Sequence, residues 1–347
     1  MKAVVIKKDE ARLVRDRPLP RLRDDYVLVK PYAVALNPTD WKHVAFRRAK
    51  DDALMGCDYA GVVEEVGPAV TKDWQKGDRI CGCAHGSNAV NGEDGVFAEY
   101  AVVKGDVQMR IPDSLSYEDA ATVPLSAITV GQGLYQKSLR LKLPTCSEKD
   151  LEYVLIYGGG TSTGGLAIQF AKLSGYTVIT TCSENQFDRL KGLGADYCFP
   201  YTDPDTPSKI RRLTNNGLKY AWDTVSIESS AKICADSLST GAGTRYGTTN
   251  PIISPRDDVE SSSVVMYTMF GEAFVFGPRT FAASPEDFEF AKMFMGLCER
   301  LLAEGKLKTH PVLVGDDGLA GVIQGLKDLQ DGKVRSGKLV YQVGDTP

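Results

Sequence analysis

The run from Tyr153 to Gly175, YVLIYGGGTSTGGLAIQFAKLSG, constrains this chain more than any other stretch. Tyr153–Tyr157 is a short apolar, aromatic and branched segment suited to a buried parallel strand, and Leu166–Leu173 repeats its apolar residues at helical spacing. Between them lie Gly158, Gly159, Gly160, Gly164 and Gly165. A strand that turns through glycines into a helix aims backbone N–H groups and the positive end of the helix dipole at one point, which suits a pyrophosphate. The spacing Gly158, Gly160, Gly164 is wider than the G-x-G-x-x-G fingerprint. A glycine-rich turn without a ligand therefore stays open on the loop alone.

The segment that follows favours a dinucleotide. Tyr176–Thr181 (YTVITT) reads as the next strand, and Cys182-Ser183-Glu184-Asn185 stands where an adenosine ribose would lie. An NAD site of this kind usually ends that strand in an acidic residue that accepts from the ribose 2′-OH. Here Thr181 or Cys182 holds that place. Ser183 and Asn185 are small donors, and Arg189, Lys191 and Tyr201 follow, a set matched to the extra phosphate of NADP. Glu184 is the contrary detail.

At 347 residues the chain accommodates two domains, since about 100–200 residues per domain is usual. Its formal charge of −4 and lack of a basic run give no general attraction to nucleic acid or to anionic membranes. No stretch approaches the roughly 18 consecutive apolar residues of a membrane span, and the amino terminus carries charges too close to its apolar run for a secretory signal. A cytosolic protein is expected, with its eight scattered cysteines as free thiols.

Along the chain, Met1–Lys7, Tyr26–Ala35, Asp58–Val66 and Gly95–Val103 read as strands with glycine-rich turns, and Trp74–Cys81 holds the loop Lys76-Gly77-Asp78 before another short strand, which suggests a partly open barrel. Ser116 with Asp119 three residues on signals a helix start, leading into a helical Leu125–Tyr135. From Tyr153 to about Thr249 strand and helix alternate, the pattern of a doubly wound parallel sheet. Ser284–Gly305 reads as a long helix and Gly337–Val343 as a terminal strand returning to the first domain. The fold class is thus α/β, a doubly wound parallel Rossmann sheet beside a β-rich domain. The expected division is 1–124 with 275–347 against 125–274.

The motifs N-P-x-D (Asn37 to Asp40), G-x-D-Y-A-G-x-V-x-x-V-G (Gly56 to Gly67), K-G-D-R-I (Lys76 to Ile80), Y-G-G-G-T-S-T-G-G (Tyr157 to Gly165) and S-G-K-L-V (Ser336 to Val340) occur in this order. In order and spacing the chain resembles the medium-chain dehydrogenase/reductase superfamily along nearly its whole length, which implies that the β-rich domain is GroES-like. Through Asn37–Lys42, Leu173–Thr181, Cys182-Ser183 with Phe187-Asp188, Phe199–Tyr201 and Tyr220–Asp223 it is similar to the fungal trans-acting enoyl reductases. Those enzymes serve iterative, highly reducing polyketide synthases, as in the lovastatin pathway. The resemblance implies transfer of hydride from NADPH to the β-carbon of an α,β-unsaturated acyl chain on the synthase carrier protein. The zinc-dependent alcohol dehydrogenases of the superfamily carry a Cys near the position of Thr39 and a His-Glu pair where this chain has Cys57-Asp58. Cys81, Cys83 and His85 are too few and too close for either zinc set, so no metal is expected.

By the same resemblance Thr39, Asp40, Trp41 and Lys42 flank the coenzyme. Gly160, Thr161, Ser162 and Thr163 meet its diphosphate, and Ser183, Glu184, Asn185, Gln186 and Tyr201 its adenosine phosphate. Thr249, Asn250, Ser336 and Gly337 lie toward the nicotinamide. Thr129, with Val130, matches a position lining the active-site cleft. Met266, Tyr267, Thr268, Met269 and Phe270 line the acyl pocket, although a Met and aromatic cluster is also what a core requires. Lys42 is a candidate donor, Thr129 a candidate orienting group and Tyr267 the candidate general acid, with water an alternative proton source. A stand-alone quinone or alkenal reductase and a non-catalytic dinucleotide-binding protein remain as other readings. A monomer is expected, because the sheet edge that superfamily members commonly use to dimerise is reserved for the synthase.

Overall fold

A computed structural model of the chain describes residues 1–144 and 152–347. These divide into two units, Met1–Leu125 with Tyr267–Pro347, and Ser126–Met266. Among the described residues no helix is long and apolar enough to cross a membrane. The described cysteines are free thiols, and Cys146 lies outside the described residues.

The first unit is built on a mixed sheet in the order Val312–Gly315, Lys338–Gln342, Tyr26–Ala35, Asp58–Val66, Arg79–Cys83 and Met109–Arg110, with Ala101–Lys104 added against Tyr26–Ala35. The central strand Tyr26–Ala35 alternates from Val27 to Ala33 and is buried on consecutive residues from Ala33 to Ala35. Pro31, which cannot donate to a ladder, falls beside a register shift between Pro31 and Ala33. Val27, Val29, Tyr59, Val63, Trp74, Ile80, Phe97, Leu326 and Tyr341 form the core beneath.

Two helices of this unit are not evident in the sequence. Asn37–Lys42 reads in the sequence as the turn that closes the strand Tyr26–Ala35, yet Asn37 and Asp40 start the helix Pro38–Ala45, with the Asp40 carboxylate accepting from the Asn37 N–H at 2.7 Å. Gly318–Gln330 carries three glycines, which argue against a helix by propensity. Packing explains two of them: a Cβ on Gly325 would lie 2.2 Å from the Tyr341 hydroxyl, and one on Gly321 2.8 Å from its ring. The strand expected over Gly95–Val103 is confined to Ala101–Lys104, because Val96 and Phe97 donate across to Met55 instead of extending the ladder. The return to this unit falls at Tyr267, where Tyr267 stacks on His85 and Phe274 meets the same ring edge-on.

The second unit holds a six-stranded, wholly parallel sheet in the order Tyr197–Pro200, Thr177–Cys182, Tyr153–Tyr157, Tyr220–Asp223, Arg245–Thr248 and Glu260–Ser263. Numbered along the chain this is 3-2-1-4-5-6, with its switch point between Tyr153–Tyr157 and Tyr220–Asp223. Val154, Leu155 and Ile156 are fully buried, as a central parallel strand requires. Glu260–Ser263 (ESSS) is polar and lies at the sheet edge, so no apolar signal announces it.

Candidate functional site

The glycine run sits at the switch point of the parallel sheet. Gly158 has φ +78°, open to glycine at little cost, and a Cβ on Gly164 would lie 2.2 Å from the Gly158 carbonyl oxygen. Gly160 differs: a Cβ there would meet nothing nearer than the Gln186 Cγ at 3.9 Å. Its small size leaves room above the loop, as the approach of a diphosphate requires. Thr161 caps the helix Ser162–Leu173 by accepting from the Gly164 N–H at 2.9 Å. Thr224 fastens the loop from the far side of the switch point, donating to Tyr157 O at 2.9 Å and pairing with the Thr161 hydroxyl at 3.0 Å. Ser126 pairs with the Ser162 hydroxyl at 2.8 Å. Gly164→Ala forces the loop to move, at a cost of about 1–3 kcal/mol. Thermal melts with and without coenzyme are expected to show both lower stability and a smaller ligand-induced shift.

After the strand Thr177–Cys182 the chain exposes Ser183, Glu184 and Asn185, with Gln186 half-buried and Tyr201 exposed. Arg189, one of the residues that the sequence matches to the extra phosphate of NADP, donates from Nε to the Gln186 side chain at 2.7 Å and from Nη2 to the Gly160 carbonyl at 3.2 Å. A guanidinium thus rests against the glycine loop. Thr249 and Asn250 follow the strand Arg245–Thr248 at the same carboxyl edge, and the Thr249 N–H donates to the Ser226 hydroxyl at 3.0 Å. Thr129 and Val130 are buried in the helix Pro124–Val130. The loop, its open space and this row of donors fit a dinucleotide.

In the first unit a polar cluster surrounds Tyr267. Its hydroxyl is 2.7 Å from the Thr39 hydroxyl and 3.6 Å from the Cys57 sulfur. Its ring stacks on His85 with centroids 3.9 Å apart and meets His43 edge-on. His43 Nδ1 lies 2.8 Å from the Thr39 carbonyl oxygen, which only accepts, so that nitrogen carries the proton. Burial holds the His43 imidazole down at about 4 and His85 well below its ordinary value, so both rings are neutral at pH 7. Burial also raises the Tyr267 phenol well above its ordinary value, with the Cys57 sulfur adding to the effect. A phenol so placed keeps its proton until a strong base arises beside it.

Asp40 does not reach outward. It is 1% exposed and accepts from the Asn37 N–H at 2.7 Å. Burial, followed among the raising influences by the Asp58 charge, pushes its carboxyl up to about 7. Trp41 and Lys42 are half-buried, and burial, followed by the nearby Arg48, lowers the Lys42 ammonium. Met269 is fully buried against the Cys83 sulfur at 3.4 Å. Tyr267 and Phe270, by contrast, line a cavity of about 10 Å³ with Tyr26, His85, Asp94 and Lys104, which is room for about one water. Ser336 is exposed at φ +62°, and Gly337 has no room for a Cβ beside Leu313.

Lys338 follows Gly337 and is nearly buried. Its ammonium donates to Asp58 at 2.5 Å, and Asp58 also accepts from Asn37 at 2.9 Å and from the Leu125 N–H at 2.8 Å. Asp58 is thus partnered by Lys338, and Asp40 by the Asn37 N–H. Among the described residues no three His, Cys, Asp or Glu side chains converge to hold a metal.

A 3-2-1-4-5-6 parallel sheet with a glycine loop at its switch point is the architecture of a dinucleotide-binding domain. Residues 23–113 match the family described as alcohol dehydrogenase GroES-like domain, and residues 162–259 the one described as zinc-binding dehydrogenase. Trans-enoyl reductase resD of Aspergillus sclerotiorum is 46% identical over 96% of this chain and 97% of its own length. Trans-enoyl reductase TOXD of Cochliobolus carbonum is 50% identical over 82% of this chain and 95% of its own. An alcohol dehydrogenase superfamily protein from Novosphingobium aromaticivorans shares the fold, with a TM-score of 0.78 at 23% identity, covering 99% of each chain. The chain belongs to the medium-chain dehydrogenase/reductase superfamily and, within it, to the trans-enoyl reductases. It is an oxidoreductase that takes a nicotinamide dinucleotide.

Proposed function

We propose that the protein is an NADPH-dependent enoyl reductase acting on an α,β-unsaturated polyketide acyl chain carried by a partner synthase. The observation that carries this reading is the Tyr267 hydroxyl, buried 2.7 Å from Thr39 between neutral imidazoles. Such a group serves as a proton donor and not as a base. When bound, the coenzyme supplies a hydride for the β-carbon of the olefin. Negative charge then builds on the substrate as an enolate, strong enough a base to take the phenol proton at the α-carbon. Lys42 and Thr39 lie on the helical segment that carries this donor set, and a cation and a hydroxyl there stabilise the developing oxyanion. Thr129 and Val130, with Met266, Thr268, Met269 and Phe270, are proposed for the acyl side. Ser336 and Gly337, with Thr249 and Asn250, are proposed for the nicotinamide side.

NADPH over NADH follows from the composition of the loop after Thr177–Cys182. That strand ends without a carboxylate, Ser183 and Asn185 are exposed, and Arg189 lies against the glycine loop. Arg189→Ala is expected to weaken NADPH about 10- to 100-fold, the loss of roughly 1.5–3 kcal/mol for a hydrogen bond to a charged group, with a smaller effect on NADH. Calorimetric titration of both coenzymes checks it; equal losses count against the assignment.

The partner is a highly reducing polyketide synthase, the location cytoplasmic, the state a monomer and the chemistry metal-free. Product mass spectrometry with and without this protein beside its synthase tests the whole reading. Unreduced or derailed products in its absence support it, and an unchanged product rejects it.

A further inference from the structure

Arg48 follows the helix Pro38–Ala45, its backbone N–H donating to the His43 carbonyl oxygen at 2.9 Å. Its guanidinium lies over two aromatic rings, 4.4 Å from the centroid of Phe276 and 4.9 Å from that of Phe46. Two such faces hold the side chain in one place. Among the described residues no carboxylate pairs with it, and the acidic residues nearest to it have other partners: Asp9 pairs with Arg47 at 3.2 Å, Asp52 with Lys7 at 3.3 Å, and Asp51 accepts from the Lys8 N–H at 2.9 Å. Arg48 is thus a fixed cation without a counter-ion.

Phe276 joins this cation to the Tyr267 cluster. Its ring meets His43 edge-on with centroids 5.4 Å apart and is tilted against the Tyr267 ring at 5.6 Å. Gly277 comes next with φ +61°, and a Cβ there would meet nothing nearer than the Arg48 Nε at 3.9 Å. No side chain crowds that nitrogen from the Gly277 side. Phe46 is 56% exposed, and Lys42, whose ammonium stands 5.7 Å over the Trp41 ring, adds a second positive charge to the field. A fixed guanidinium set among open aromatic faces asks for an anion carried on a partly apolar body. We infer that Arg48, held between Phe46 and Phe276, receives the phosphate of the phosphopantetheine arm on which a carrier protein presents its acyl thioester, a site that rests on the enoyl reductase reading.

The arm matches the patch in charge and in kind. It begins in a phosphate, which a planar guanidinium grips through two N–H groups, and it continues as a dimethyl-bearing chain of amides suited to lie along aromatic rings. It ends in the thioester whose olefin must reach Tyr267. A free quinone or enone has no phosphate and gains nothing from Arg48. The coenzyme is the other source of phosphate, but the glycine loop with Arg189 already provides for it.

The test compares two α,β-unsaturated thioesters that differ only in this phosphate, one of pantetheine and one of phosphopantetheine, with the full chain and NADPH. The wild type is expected to show a kcat/KM about 10- to 100-fold higher for the phosphopantetheine thioester, the scale of hydrogen bonds to a charged group, with the gain in KM and not in kcat. In Arg48→Ala that ratio is expected to fall to near one, and in Arg48→Lys to recover in part, since a point charge then replaces the fork. Calorimetric titration is expected to give Arg48→Ala the NADPH Kd of the wild type. The wild-type ratio needs no variant, and a value near one overturns the phosphate site. A ratio that persists in Arg48→Ala overturns it as well, and so does an NADPH Kd that rises in Arg48→Ala as far as the KM of the phosphopantetheine thioester, which assigns Arg48 to the coenzyme. A wild type that binds NADPH and reduces neither thioester overturns the enoyl reductase reading, and the site with it.

Discussion

Tyr267→Phe is expected to lower kcat by about 10²–10⁴, the usual contribution of a positioned proton donor, while leaving the coenzyme Kd unchanged. The substitution removes one oxygen. The ring that stacks on His85 and meets Phe274 and Phe276 stays in place, so its packing is retained. What is lost is the hydroxyl 2.7 Å from Thr39 and 3.6 Å from Cys57. Steady-state kinetics beside calorimetric coenzyme titration separate the two effects. A variant with wild-type kcat assigns the proton to water, the alternative that the sequence leaves open.

Lys338→Ala is expected to destabilise the first unit by about 3–5 kcal/mol, because it strands the buried Asp58 carboxylate without its cation. Asp58 is fully buried and Lys338 5% exposed, 2.5 Å apart, and no solvent is at hand to take over the charge. The remaining donors, Asn37 and the Leu125 N–H, are neutral. A melting temperature lower by about 6 °C or more is the readout. The pair Asp58→Asn with Lys338→Met is expected to recover part of the loss, since the penalty comes from an unpaired charge and not from a missing contact. Equal melting temperatures for the single and double variants would contradict this.

The sequence discloses elements where one local signal suffices. Tyr26–Ala35, Asp58–Val66, Tyr153–Tyr157 and Tyr220–Asp223 have the ends that their apolar patterns predict. Gly158, Gly160 and Gly164 mark the loop before any coordinate is known, although only the structure shows that Gly164 serves the fold while Gly160 leaves open space. Helix Gly318–Gln330 stays hidden because two of its three glycines, Gly321 and Gly325, answer to Tyr341, a residue beyond the helix. Glu260–Ser263 stays hidden because an edge strand of serines has no apolar face.

The candidate site was legible in parts only. Asn37–Lys42 and Tyr267 each attract attention alone, but their meeting depends on a contact spanning 228 residues between Thr39 and Tyr267. Asp40 stands in the sequence as a polar residue of a turn, and packing turns it inward, where it accepts from the Asn37 N–H. Arg189 carries no signal beyond its charge, and its contact with Gly160 depends on how Glu184–Gln186 and Phe187–Lys191 fold back toward the glycine loop. Thr224 and Ser126 are small hydroxyls whose importance comes only from what they touch.

The most direct test of the central claim is isotopic. NADPH deuterated at the transferable position of its nicotinamide, an α,β-unsaturated thioester and this protein are incubated in ordinary water, and the product is analysed by mass spectrometry and NMR. One deuterium at the β-carbon and a solvent-derived proton at the α-carbon of a saturated thioester are expected. An olefin recovered unreduced, or deuterium found at the carbonyl carbon of an alcohol product, would contradict it.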